Sequence, residues 1–269
     1  MATSTPPRRA RMYVLEFLIT AGILFLIVTA ARWIFAPDAP LGSAISGRAA
    51  FALMAVIFGV LNTLIIHYSM TRRTAGHMNP SVSIGLWLLR AFPGRDVLPF
   101  CLAQLAGAFA GTALGRLVWG AAVDSVNYSA VGAAPGWDVW DVLTAETAGQ
   151  LICMTLVAGL LIRPRWEFLI PSVVGVCIAG FIFFLGPVAG GAVNPVRQLG
   201  PAVLSGNTAF LAAYLVGPVL GAALAAALAA GLRPPAAPAG PPASDPAVEP
   251  ADEPVPSPPP APAPAERAR

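Results

Sequence analysis

The sequence predicts an all-α membrane protein in which six transmembrane helices and two half-helices form an inverted three-helix repeat. Three observations carry this. Of 269 residues, 57% are hydrophobic and only 11% charged, where a soluble domain carries about 25% charged residues. Six apolar runs are long enough to cross about 30 Å of hydrocarbon, each needing roughly 20 residues as a helix. Two further apolar runs are too short to span, and each opens on Asn-Pro.

The spans fall near 13–35, 48–69, 97–119, 143–162, 168–187 and 207–232, and the short runs near 79–90 and 194–204. The first run, Glu16 to Phe35, exceeds the apolar core of a signal peptide and reads as a spanning helix. Arg8, Arg9 and Arg11 precede it. Arg72, Arg73, Arg90 and Arg95 lie between the second and third spans, and Arg163 and Arg165 between the fourth and fifth. The opposite loops carry Asp38, Asp124, Asp138 and Asp141. Basic loops stay inside, so both termini are expected in the cytoplasm of a multi-pass cell-membrane protein. All 16 basic residues are Arg, a bias expected of a GC-rich bacterial genome.

The chain divides into a cytoplasmic N-terminal segment (1–12), a membrane domain (13–232) and a tail (233–269). The tail holds half of the 28 prolines, so it cannot bury apolar surface and is expected to stay extended or disordered. Within the membrane domain the repeats cover about 13–120 and 143–232. Each opens a helix with a Glu (Glu16, Glu146), reaches Asn-Pro, and closes on a helix with glycines four apart, Gly107 and Gly111 or Gly217 and Gly221. Three spans is an odd number, so the two repeats lie inverted, an arrangement that places functional sites where interrupted helices meet. Small residues at that spacing let helix backbones approach closely.

Asn is a favoured N-cap and Pro a favoured first helical residue. Asn79-Pro80 and Asn194-Pro195 therefore start two half-helices that enter from opposite sides and stop near the middle. Both positive dipole ends then face the midplane. Non-helical backbone at that depth must line a cavity or be buried in protein. Carbonyls of Ala75 to Met78 and Gly190 to Val193 would ladder one wall.

Other chemistry is thin. The net charge of +3 is too small for a nucleic-acid partner. Cys101, Cys153 and Cys177 lie inside apolar runs and read as core. No metal-ligand spacing, cofactor loop or nucleophile with a base is found, so neither a metal, a cofactor nor an enzyme is expected.

The segment from Gly76 through Asn79, Pro80 and Ser81 to Ser83 resembles the first Asn-Pro-Ala box of the aquaporin family. Gly186-Pro187 through Asn194, Pro195, Val196 and Arg197 to Pro201 resembles the second. Tyr214 to Pro218 and Gln104 to Ala108 are similar to that family's sixth and third helices. The resemblance covers about residues 13 to 232 and departs at Ser81 and Val196, where the family usually has Ala. It implies an aquaporin-like channel domain passing water or small uncharged solutes, with glycerol, urea and ammonia as candidates. Protons and ions would be excluded by the opposed half-helix dipoles and a filter arginine.

By the same resemblance Asn79 and Asn194 donate to the permeant and Arg197 belongs to a selectivity filter with Phe58, Ile182 and the Gly191 carbonyl. Gly59 is the alternative to Phe58. Water-specific members usually carry His at Ile182, and glycerol-conducting members usually carry Asp at Gln198. Ile182 with Gly191 is similar to plant vacuolar members that pass water, urea or ammonia. Glu16 and Glu146 would accept hydrogen bonds from the Asn-Pro loop backbones, His77 would line the pore, and a homotetramer is expected. Inverted repeats with broken helices also build ion-coupled secondary transporters, which is the alternative reading. A non-conducting relative blocked at Phe58 and Ile182 is a third.

Overall fold

Each apolar run becomes a helix in the computed structural model, which describes residues 6–39, 41–42, 44–45, 47–72, 74 and 76–231. The tail 233–269, Arg73 and Ala75 and the first five residues of the N-terminal segment lie outside the described residues. The elements are α1 (Pro6–Phe35), α2 (Arg48–Arg72), α3 (Pro80–Leu88), α4 (Gly94–Trp119), α5 (Val139–Leu161), α6 (Ile170–Gly180), α7 (Gly186–Ala189), α8 (Pro195–Ser205) and α9 (Leu211–Gly231). A π-turn over Phe181–Leu185 joins α6 to α7. With a preceding 3₁₀ turn these form one crossing segment, Pro164–Ala189. Together with α1, α2, α4, α5 and α9 they give six helices long and apolar enough to cross a membrane.

Helix α1 starts at Pro6 rather than near 13, because prolines are tolerated in a first turn whose N–H groups have no helical partner. Helices α3 and α8 are the two half-helices. At 9 and 11 residues they reach roughly 14 and 17 Å, about half of the hydrocarbon thickness.

The helices pack in symmetry-related pairs, α1 on α4 and α5 on α9, with α2 crossing α6 between the repeats. Glycine makes the close crossings possible. A Cβ on Gly111 would collide with the Ala21 carbonyl of α1, and one on Gly221 with the Thr147 carbonyl of α5. The third crossing was not evident in the sequence. Gly59 of α2 lies against the Gly175 carbonyl of α6, where a Cβ would come within 2.9 Å. Each half-helix packs on both α4 and α9, so the last helix of each repeat supports the broken helices of both.

Large apolar side chains point outward: Leu117 is 81% exposed and Val176 71%. A surface of this kind suits lipid, where outward apolar groups carry no penalty.

A leucine at Gly111 forces apart a backbone-to-backbone contact, an overpacking cost of at least roughly 1–3 kcal/mol. Gly22 has open space around it. In detergent, Gly111→Leu is expected to lower the thermal midpoint by several degrees and Gly22→Leu to leave it unchanged. Equal midpoints would contradict the crossing geometry.

Candidate functional site

The site begins at the two caps. Asn79 has extended backbone (φ −153°) and its Oδ1 accepts from the Ser81 amide at 3.0 Å and the Ser81 hydroxyl at 2.7 Å. Asn194 has the same conformation (φ −161°) and accepts from the amides of Val196 at 3.1 Å and Arg197 at 3.4 Å. Pro80 and Pro195 occupy the first helical positions. Capping fixes each carboxamide by its oxygen and leaves its NH2 to point onward.

Those NH2 groups lash the half-helices together. Asn79 Nδ2 donates to the Val193 carbonyl at 2.9 Å, and Asn194 Nδ2 donates to the Met78 carbonyl at 2.9 Å. Met78 and Val193, the residues just before each Asn, sit at φ +52° and +45°. Left-handed backbone is costly for any side chain and most of all for a β-branched one such as Val193. The turn aims each carbonyl at the opposite amide.

Two buried carboxylates hold that strain in place. Glu16 of α1 accepts from the backbone N–H of Gly76 (2.6 Å), His77 (3.2 Å) and Met78, and from Gln104 Nε2 (2.7 Å). Glu146 of α5 accepts from the N–H of Ala192 (2.9 Å) and Val193. Both carboxylates are fully buried, and satisfying several donors each is what makes such burial tolerable. The non-helical segments Gly76–Met78 and Ala192–Val193 thus turn their N–H groups to a glutamate while bordering a cavity.

That cavity has a volume of about 660 Å³ and takes residues from both ends of the spans. It is bordered by Phe58, Ile182, Gly191 and Arg197, by His77, and by Asn79 and Asn194. Phe58 rather than Gly59 faces it, since Gly59 is spent on the α2–α6 crossing. Ile182 projects from the π-turn, a local widening that often marks functional positions. Ser81 and Val196 are buried in the first turns of their half-helices. Cys153, expected as core, borders the cavity as well.

His77 is pinned on both sides. Its Nδ1 is 3.0 Å from the Ser83 hydroxyl, and its ring packs on Phe92 and Phe100 with centroids 4.6 and 5.0 Å away. Arg197 donates from Nη1 to the Ser129 carbonyl at 2.8 Å. Ser129 closes a 3₁₀ stretch, Gly120–Ser129, between α4 and α5, and has left-handed backbone (φ +69°).

Sequence reasoning missed the support behind Arg197. Gln198, fully buried, donates from Nε2 to the Val131 carbonyl at 2.9 Å and accepts from the Val131 amide at 2.8 Å. Adjacent residues of α8 thus grip the same loop, one through Ser129 and the other through Val131. The only signal was a Gln in the first turn of an apolar half-helix. Gln104 and Tyr214 were likewise not assigned these contacts. They lie three residues before Gly107 and Gly217; Gln104 bonds Glu16, and the Tyr214 hydroxyl donates to the Ala189 carbonyl at 2.9 Å.

Six crossing helices, with two half-helices meeting cap to cap in an inverted repeat, define the aquaporin fold. The model of the major intrinsic protein family matches residues 3–229, and the chain belongs to that family. Aquaporin AqpM of Methanothermobacter marburgensis is 33% identical over 138 residues, covering 50% of this chain and 55% of that protein. The glycerol uptake facilitator protein of Escherichia coli is 31% identical over 186 residues, covering 58% and 64%. The propanediol uptake facilitator PduF of Citrobacter freundii is 29% identical over 171 residues, covering 56% and 63%. The matches thus span between about half and two-thirds of these curated relatives. The X-ray structure of the aquaglyceroporin from Plasmodium falciparum superposes with a TM-score of 0.67 at 21% identity, covering 82% of this chain and 95% of that one.

Glu146→Ala strands the buried N–H of Val193, at a cost of about 1–3 kcal/mol, and the part-buried N–H of Ala192. The substitution is expected to lower the detergent thermal midpoint more than Glu167→Ala, which removes a carboxylate on an exposed residue. An equal effect would remove the glutamate from the support of the loop.

Proposed function

We propose that the chain is a passive transmembrane channel for water and small uncharged solutes. The observation that carries this reading is the reciprocal pair of amide bonds between the caps, set beside a single cavity bordered from both ends of the spans. One N–H of each Asn is committed to the opposite half-helix. The other is free to donate to a passing oxygen, so a water crossing the pair is held as an acceptor and cannot hand a proton along. The positive ends of α3 and α8 converge there and oppose cations and protons.

Phe58, Ile182, Gly191 and Arg197 form the filter in this reading. Three of them offer no charged side chain, so discrimination falls to Arg197, whose position depends on Ser129 and on the Gln198 clamp behind it. Relatives named for glycerol and propanediol uptake bring small polyols within range beside water. His77 lines the opposite half. The arginine distribution supports cytoplasmic termini, and the family resemblance alone carries the expectation of a homotetramer.

The ion-coupled transporter reading finds less support. Among the described residues bordering the cavity, only Glu167 and Arg197 have side chains of the Asp, Glu, Lys or Arg type. Glu16 and Glu146 are occupied by backbone donors.

Stopped-flow light scattering on proteoliposomes tests the reading. Water flux should rise above that of empty liposomes, persist without any ion gradient and not saturate with the osmotic step. Saturation, or dependence on a proton or sodium gradient, would favour a transporter. Arg197→Ala should leave water flux intact while raising the permeability of larger solutes or cations relative to water; unchanged selectivity would remove Arg197 from the filter.

A further inference from the structure

We propose that Asn62 and Gln150 form a second polar station on the His77 side of the Asn79–Asn194 pair. It would bind a neutral solute that donates and accepts hydrogen bonds at once, as polyols and urea do. The inference rests on the channel reading and sharpens its substrate class.

Gln150 lies on α5 one turn beyond Glu146 and borders the cavity. It is 2% exposed, and its Nε2 has no hydrogen-bond partner among the described residues. A buried donor left unmet carries a desolvation penalty, so its presence calls for a partner from the cavity. The repeat supplies an internal comparison. Thr20 stands four residues after Glu16, as Gln150 stands four after Glu146, and its hydroxyl is likewise buried without a partner, yet only Gln150 reaches the cavity. The longer amide breaks the symmetry towards the permeation path.

Asn62 lies on α2 one turn beyond Phe58 and is 8% exposed. Its Nδ2 donates to the Phe58 carbonyl at 2.8 Å, which leaves Oδ1 as the free acceptor beside the same cavity. Asn62 lies one turn along α2 from Phe58 towards Ser69, and Gln150 one turn along α5 from Glu146 towards Leu161. Their cavity neighbours Ile66, Met154, Val157 and Val174 are apolar. A donor and an acceptor stand among these apolar neighbours, while Ser69, Thr74, His77 and Glu167 are further polar side chains bordering the cavity. Water has one oxygen to share between stations. A polyol or urea has several polar groups and can hold the Asn pair and the second station together.

The full chain in proteoliposomes provides the test, with glycerol and urea as probes. In the wild-type chain, glycerol or urea at equal concentration on both sides should slow osmotic water flux in a saturable way, because a bound solute blocks the file. Gln150→Met, which keeps the volume, and Gln150→Thr, the residue type of the first repeat, should abolish that slowing. Both should lower the solute-to-water permeability ratio about fivefold, the size expected for one lost hydrogen bond. Asn62→Leu should act in the same direction. An effect on glycerol alone or urea alone supports the station and identifies the solute. Wild-type slowing that survives in both Gln150 variants, with an unchanged permeability ratio, overturns the inference while leaving the channel intact. A wild-type chain that passes neither water nor solute overturns the channel reading, and this inference with it.

Discussion

The structure depends on two hydrogen bonds that cross between its halves, from Asn79 to the Val193 carbonyl and from Asn194 to the Met78 carbonyl. A helix that stops inside a bilayer exposes N–H groups that hydrocarbon cannot satisfy. Here the stopping points satisfy each other. Each Asn caps its own half-helix with its oxygen and ties the opposite one with its nitrogen, so one side-chain type performs both tasks. Neither half-helix can end where it does without the other.

The remaining architecture keeps those caps in register. Glu16 and Glu146 stabilise the left-handed turns at Met78 and Val193 by taking the N–H groups that the turns leave behind. Glycine crossings then bring the helices bearing the glutamates close to the helices that support the caps. Gly217 lies against Glu146 itself, where a Cβ would come within 2.9 Å of the glutamate Cβ. Local strain, buried charge and close packing are therefore one coupled arrangement. Outside it the repeats diverge. The first half adds the His77–Ser83 contact, and the second adds Arg197 with its loop clamp and the long Gln150 side chain.

The six crossings and the two half-helices were legible because their signals are local: apolar length for the spans, Asn-Pro for the caps. The inverted repeat followed from counting spans. The bounds were less legible. Prolines at the start of α1 extended it, and the fifth crossing contains a π-turn that apolar length cannot reveal. At the site, residue types drew attention to Glu16, Glu146 and Arg197, since charge within an apolar run demands a partner. The resemblance implied loop-backbone partners for the two glutamates, but the partners of Arg197 and Gln198 were hidden. Ser129 offers only a carbonyl, which every residue has, and Val131 looks like ordinary loop. Gln198, Gln150 and Asn62 are neutral amides, and whether an amide is satisfied depends on long-range geometry rather than on its neighbours in sequence. The choice between Phe58 and Gly59 was of the same kind, since it turned on which of two adjacent residues faces α6.

The central claim is that the two amides are bound to each other's half-helices within the folded chain. The most direct measurement is solid-state NMR in lipid bilayers, reading the dipolar coupling between the Asn79 side-chain nitrogen and the Val193 carbonyl carbon. A donor–acceptor contact of 2.9 Å places that nitrogen about 4 Å from the carbon, allowing for a carbonyl bond near 1.2 Å, and a clear coupling is expected. A separation beyond roughly 6 Å, well outside hydrogen-bond geometry, would mean that the half-helices do not meet, and the account of fold and pore would fail together.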